Sequence, residues 1–331
     1  MARSNPGWFS GVEKEYWYCR LSPIMRLPNF VVIGAPKCGT TSLYYYLRQH
    51  PDIYLPERKE LHYFSHDCLR ERMAGPGDRH ALSSLCSSRQ QYEEHYAKAR
   101  DQKAVGDISP SYFYFSEVSE RIKHELGDPK IILMVRDPIQ KAFSQYMHLV
   151  RDNRENLGFY DALMAEEQRI RANWAVLWRY AESSLYTDKL RKYLSVFGTS
   201  RLKVILFEEL SRSPQAILRD LFGFLGVDVD FQPTISRIYN RSGRPKSKWM
   251  ADFLNKPNFV TVTAAKLVPE KIRTPLRLAF LEMNTGKKER IDERSRAYLT
   301  EYSRRDVVGL ERLLDRKLGW GHKDSATKKA G

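Results

Sequence analysis

The sequence has no long hydrophobic run. No stretch approaches the ~18–20 consecutive apolar residues that cross a bilayer, and the first thirty residues lack the apolar core of a secretory signal peptide. No transmembrane segment or cleaved leader is therefore expected within its 331 residues. Cysteine is scarce too: Cys19, Cys38, Cys68 and Cys86 are the whole complement. They form no C-x-x-C pair and have no histidine at ligand spacing, so no zinc site, disulfide framework or other metal is expected. A reducing, cytoplasmic compartment is the simpler expectation; a catalytic domain cut from a longer secretory-pathway protein would sit in the Golgi lumen instead. Internal repeats are absent, as are zinc-finger, recognition-helix and RNA-binding signatures, and no nucleic-acid partner is expected.

Positive charge is plentiful. Lys and Arg number 55 against 40 Asp and Glu, a net +15, and residues 241–331 alone hold 22 basic against 11 acidic residues. Such polarity predicts anionic partners: nucleotides, sulfated or uronic-acid glycans, nucleic acid or an acidic membrane face. With 42% hydrophobic and 29% charged residues the composition is that of a globular domain with a sizeable core.

Short apolar runs alternate with helical patterns. Asn29–Ile33, Lys103–Asp107, Lys130–Val135 and Leu202–Phe207 read as strands. Ser42–His50, Ile139–Val150, Phe159–Arg171, Tyr180–Phe197, Pro214–Leu225 and Ser295–Leu318 read as helices. This alternation predicts an α/β fold with a central parallel sheet flanked by helices. The expected organisation is an N-terminal extension (1–28), one domain (29–320) and a basic, disordered tail (321–331). Within the domain, 67–102 reads as a polar insertion rather than core, and 236–257 as a basic loop.

Between the first strand and its helix lies Gly34-Ala35-Pro36-Lys37-Cys38-Gly39-Thr40-Thr41-Ser42. A glycine-containing loop entering a helix N-terminus presents unpaired N–H groups to an anion, which makes it a phosphate cradle. It departs from G-x-x-x-x-G-K-[ST]: Thr40 follows Gly39, and the lysine has moved back to Lys37. An early lysine beside hydroxyls at 40–42 suits a single 5′-phosphate and its leaving oxygen rather than a triphosphate with Mg²⁺. About a hundred residues on, Arg136-Asp137-Pro138 follows a strand and Ser144 stands on the next helix. A strand-end guanidinium binds phosphate bidentately, and Ser144 adds a neutral donor on the same side.

These two segments resemble the 5′-phosphosulfate loop and the 3′-phosphate motif of sulfotransferases that use 3′-phosphoadenylyl sulfate (PAPS), especially the bacterial and heparan-type glycan branches. The resemblance covers roughly 29–320. It implies a P-loop-like sulfotransferase fold, PAPS as cofactor with adenosine 3′,5′-bisphosphate (PAP) as product, and cofactor contacts from Pro36, Lys37, Cys38, Gly39, Thr40, Thr41, Ser42, Arg136 and Ser144. Arg241, Ser242 and Gly243 occupy the place of the family's loop over the nucleotide, and Tyr186 that of an aromatic near the nucleotide or acceptor.

Sulfuryl transfer needs in-line positioning, a base for the acceptor proton and positive charge on the leaving phosphate. Lys37 suits the last role. Pro56-Glu57-Arg58-Lys59-Glu60-Leu61-His62-Tyr63-Phe64 resembles the Glu-x-His/Gln-aromatic-Phe segment of the heparan branch, which puts the base on Glu60. His62 is the runner-up, on the same side if the segment is extended. Lys59 is an acceptor or leaving-group contact in this reading, and Asp107, Ser109 and Tyr112 line the acceptor side. Several heparan-branch members carry a lysine where this chain has Ile108, which argues against a heparan-like acceptor more than against the chemistry. The expected acceptor is a hydroxyl on a carbohydrate or glycolipid, with Trp174, Trp178 and Trp249 as candidate sugar-stacking rings. Two rivals remain: a nucleoside-triphosphate kinase using Gly34–Thr41, and a non-catalytic polyanion or nucleic-acid binder driven by the basic C-terminal region.

Overall fold

The computed structural model describes residues 26–79, 85–235 and 289–320. Its centre is a five-stranded, wholly parallel sheet: β1 (Phe30–Gly34), β2 (Ile53–Tyr54), β3 (Ala104–Ile108), β4 (Lys130–Val135) and β5 (Leu202–Leu206), in the order β2-β3-β1-β4-β5. β1, β3 and all of β4 after Lys130 are buried. That double-faced burial is why these strands read as continuous apolar runs without alternation. Register is set locally by size: Gly106 lies opposite Phe30, whose ring occupies the space a side chain at 106 would need.

The helices are α1 (Thr40–Leu47), α2 (His66–Arg70), α3 (Arg89–Glu94), α4 (Ser116–Leu126), α5 (Pro138–Arg151), α6 (Phe159–Met164), α7 (Glu166–Arg171), α8 (Thr187–Phe197), α9 (Phe207–Arg212), α10 (Pro214–Leu225) and α11 (Glu293–Leu314). Several starts have a local cause. Pro138 and Pro214 stand at first helical positions, and Asp137 caps α5 by accepting from the N–H groups of Ile139 (2.8 Å) and Gln140 (3.2 Å). The single helix expected over Phe159–Arg171 breaks at Ala165, and the one expected from Tyr180 begins only at Thr187, after a short 3₁₀ turn over Glu182–Ser184.

The described residues of 67–102 are not a polar lobe apart from the core. Cys68, Leu69, Met73, Cys86, Tyr92 and Tyr96 are buried in it. The polar composition misled because the segment buries few but large side chains: Tyr92 stacks on Tyr63 with ring centroids 4.6 Å apart and meets Tyr96 edge-on at 5.1 Å. Near the chain's other end, Asp306 on α11 accepts from the backbone N–H groups of Tyr186 and Thr187, each at 2.8 Å. These bonds satisfy the open N-terminus of α8 and fix Tyr186. Among the described residues no helix is long and apolar enough to cross a membrane.

Candidate active site

In this strand order the loop after β1 emerges centrally, the loops after β2 and β3 lie to one side, and those after β4 and β5 to the other. A cleft of about 560 Å³ opens at this carboxyl edge, where parallel sheets bind ligands.

The central loop turns into α1 at Gly39, which has φ 91° and no side-chain cap. A β-carbon at Gly39 would meet the Phe207 ring at 2.8 Å, so glycine is required by both conformation and space. Pro36, Lys37, Gly39, Thr40, Thr41 and Ser42 line the cleft. Cys38 does not: it is fully buried, with Sγ 3.6 Å from the Tyr186 hydroxyl, and burial raises its pKa. Lys37 makes no ion pair with any described residue. Burial, with repulsion from Arg151 and Arg136, pushes its pKa down to about 8 against the pull of Asp152 and Glu60. A desolvated cation without a counter-ion beside an uncapped helix N-terminus fits a phosphate or phosphosulfate.

On the β4 side, Arg136 and Ser144 both line the cleft. Arg136 donates from Nη1 to the Lys37 carbonyl (3.2 Å) and stands over the Phe207 ring at 4.5 Å, tying the two phosphate motifs together. Tyr186 plays a different part from the one expected. It is wholly buried, its hydroxyl donating to the Arg136 carbonyl (2.8 Å) and accepting from the Arg136 N–H (3.2 Å). It holds the strand end that carries Arg136 and does not face the cleft.

On the β2–β3 side, Glu60 and His62 reach the same cleft, His62 Nε2 lying 3.6 Å from Glu60 Oε2. They face together for a reason other than an extended segment: Glu60 and His62 have φ of 65° and 57°. Among described non-glycine residues, positive φ occurs at Lys37, Glu60, His62 and otherwise only at Asn153, Asn173 and Asp315. Asn, Asp and His adopt this conformation most readily, so the two exceptions are Lys37 and Glu60, both singled out for chemistry. The loop is pinned by the Glu60 N–H to the Ile108 carbonyl (3.2 Å), and by the Tyr44 hydroxyl on α1 to the carbonyls of Pro56 (2.7 Å) and Glu57 (2.8 Å). Burial works to raise the Glu60 pKa, but the Lys59 charge and hydrogen bonds from His62 and Lys59 outweigh it and hold the carboxyl well below the usual range. Lys59 is ion-paired to Glu60 and does not line the cleft.

Asp107, Ser109 and Tyr112 are turned away from the acceptor side and buried. Asp107 accepts from Ser109 Oγ (2.7 Å), the Tyr112 hydroxyl (2.7 Å) and the Tyr92 hydroxyl (3.0 Å). Burial raises its pKa, and those three donors oppose the rise. The cleft takes Pro110, Ser111 and Tyr114 from this segment instead, and Ser111 Oγ lies 2.6 Å from His62 Nδ1. Trp178 is 1% exposed, with Nε1 donating to Asp78 (3.0 Å), and cannot stack a sugar. Arg241, Ser242, Gly243 and Trp249, and with them the basic loop 236–257, lie outside the described residues, as does the tail 321–331.

Sequence reasoning missed Met147, His148 and Arg151, which line the cleft with Ser144. Their spacing of three, four and seven residues from Ser144 is one helix face, a signal that was available. Burial, together with the charges of Lys37, Arg151 and Arg154, keeps the His148 pKa well below its ordinary value. No group of three or more His, Cys, Asp or Glu arranged to hold a metal occurs among the described residues.

Fold and site thus define an α/β protein with a cleft at the carboxyl edge of a parallel sheet, lined by a glycine-containing loop that enters a helix N-terminus. Residues 28–231 match the family model described as "Sulfotransferase family", and the chain belongs to that family. This bears out the resemblance to PAPS-dependent sulfotransferases drawn from the two phosphate motifs. The solved structure of a sulfotransferase from Alicyclobacillus acidocaldarius superimposes with a TM-score of 0.71 at 35% identity, covering 89% of this chain and 98% of that one. The membrane-associated sulfotransferase kil1 of Dictyostelium discoideum is 33% identical over 126 residues, 37% of this chain and 23% of that protein. The mouse heparan sulfate glucosamine 3-O-sulfotransferase 3A1 is 26% identical over 255 residues, 76% of this chain and 59% of the relative. The chain therefore spans less than two thirds of the length of these curated relatives.

Proposed function

We propose that this protein transfers the sulfuryl group of PAPS to a hydroxyl of a carbohydrate or glycolipid acceptor, with Glu60 as general base. One observation carries the reading: an unpaired, desolvated Lys37 at an uncapped helix N-terminus shares a single cleft with the ionised Glu60. The heparan sulfate enzyme among the relatives supports a carbohydrate acceptor. Bound in the cradle, PAPS would supply an activated sulfuryl group whose leaving group is a phosphate. The N–H groups at the start of α1 and the hydroxyls of Thr40, Thr41 and Ser42 would hold its 5′-phosphate end, and Arg136 with Ser144 its 3′-phosphate. Lys37 neutralises charge on the departing phosphate oxygen, where the desolvated site makes a fixed cation most effective. Glu60 takes the proton of the attacking hydroxyl, and His62, held by Ser111, orients the carboxylate.

Calorimetric titration with PAP, without metal and beside ATP plus Mg²⁺, tests the cofactor assignment. The bisphosphate should bind tightly, and Arg136→Ala should weaken it by about 10- to 100-fold, as for a charge-assisted phosphate contact. Binding of ATP·Mg²⁺ with no binding of PAP would sink the sulfotransferase activity and revive the kinase.

A further inference from the structure

Beside the polar groups of the site, the cleft wall carries a set of apolar side chains. Leu69, Met73, Leu85, Met147, Val176 and Leu177 line it, brought together from α2, the segment after it, α5 and the 3₁₀ turn over Val176–Trp178. We propose that the acceptor hydroxyl is carried on an apolar body, an alkyl chain or fused hydrocarbon rings, and that this body lies against those six side chains. The proposal rests on the sulfotransferase reading of the site and narrows its acceptor to the lipid-linked side.

Charge supports the same choice. Four cationic side chains, Lys37, Arg136, Arg151 and Arg154, line the cleft. Two are already ion-paired: Arg151 with Asp152 (3.0 Å), and Arg154 with the buried Asp78. The other two, Lys37 and Arg136, belong to the phosphate motifs. Outside the phosphate motifs, the described residues lining the cleft therefore offer no unpaired cation to a sulfated or uronic-acid chain, which would bring several negative charges with it. An apolar body gains by leaving water there.

The chamber is also preformed. Gln145, buried on α5, donates from Nε2 to the carbonyls of Val176 (3.2 Å) and Leu177 (3.1 Å). Asp78 accepts from the Ala175 N–H (2.9 Å) and from Trp178 Nε1 (3.0 Å). Val176 and Leu177 are thus clamped on both flanks, so the wall exists before a ligand arrives.

The test is a titration of PAP-saturated protein with glucose, hexyl, octyl and decyl glucoside, each below its micelle threshold, and with an unsulfated uronic-acid oligosaccharide of the heparan type. Affinity should rise about tenfold for each two methylenes added until the chamber is filled, with glucose and the oligosaccharide binding far more weakly than decyl glucoside. Leu177→Glu, at a partly exposed position, and Met73→Gln should each flatten the chain-length dependence while leaving PAP affinity unchanged. Affinity indifferent to chain length, or an oligosaccharide that outbinds decyl glucoside, overturns the apolar acceptor and leaves the sulfotransferase reading standing. Failure of PAP itself to bind overturns that reading and this inference together.

Discussion

Replacing Lys37 with methionine should stabilise the ligand-free protein while crippling its cofactor site. The lysine pays for its position: its pKa falls from 10.5 to about 8, chiefly through burial and then through Arg151. At 1.36 kcal/mol per pKa unit, keeping the ammonium in the folded state costs at most ~3 kcal/mol. The pH window follows from the direction. Below pH 8 the side chain is charged in both folded and unfolded states and the cost is complete; between 8 and 10.5 the folded state sheds its proton first and the cost fades; above 10.5 it is gone. Lys37→Met should therefore unfold at higher denaturant concentration than the parent at pH 7, with the two converging as pH approaches 10.5. Loss of a charge-assisted contact of roughly 1.5–3 kcal/mol should weaken PAP by about 10- to 150-fold. A bound phosphate pulls the Lys37 pKa back up, so PAP binding above pH 8 should take up a proton, visible as a buffer-dependent enthalpy. Equal denaturant midpoints at pH 7 together with unchanged PAP affinity would refute the reasoning, because Lys37 would then be neither strained nor facing the anion.

Further substitutions separate chemistry from support. Glu60→Gln should keep PAP affinity and lower turnover by about 10²- to 10⁴-fold, the range for a general base; full turnover would move the role to His62. Because Glu60 is held below the usual carboxylate range, it stays ionised across neutral and mildly acidic pH, and pH–rate profiles should show no acid limb from it above about pH 4. Asp107→Asn should lower the unfolding free energy by ~2–3 kcal/mol, since an amide cannot accept from Ser109, Tyr112 and Tyr92 together; collapsed turnover with intact stability would return Asp107 to the acceptor site. Tyr186→Phe should weaken PAP about 3- to 10-fold without touching the cleft wall, by freeing the Arg136 backbone from both of its hydroxyl contacts; unchanged affinity would leave Tyr186 with a packing role alone.

What the sequence determined is what local spacing can carry. A β-branched run, a Gly-containing turn and a helix start within Phe30–Leu47 place an anion cradle wherever that segment folds, and Pro138 sets Ser144 on the helix that follows Arg136. Glu60 and His62 were legible as a pair through the segment's resemblance to the heparan branch, but the backbone that brings them together, at φ of 65° and 57°, was not. Tertiary structure decided which polar groups face the ligand. Asp107, Ser109 and Tyr112 satisfy one another locally, but the partners that complete the burial come from elsewhere: Tyr92 from α3, and, for Tyr186, Asp306 from α11, which fixes it by its backbone. A polar side chain can turn inward only when such partners satisfy it, and no local pattern records them. The same holds for the rest of the cleft. Arg154 finds its ion-pair partner in Asp78, far along the chain, and the apolar wall exists only where α2, α5 and the Val176–Trp178 turn converge.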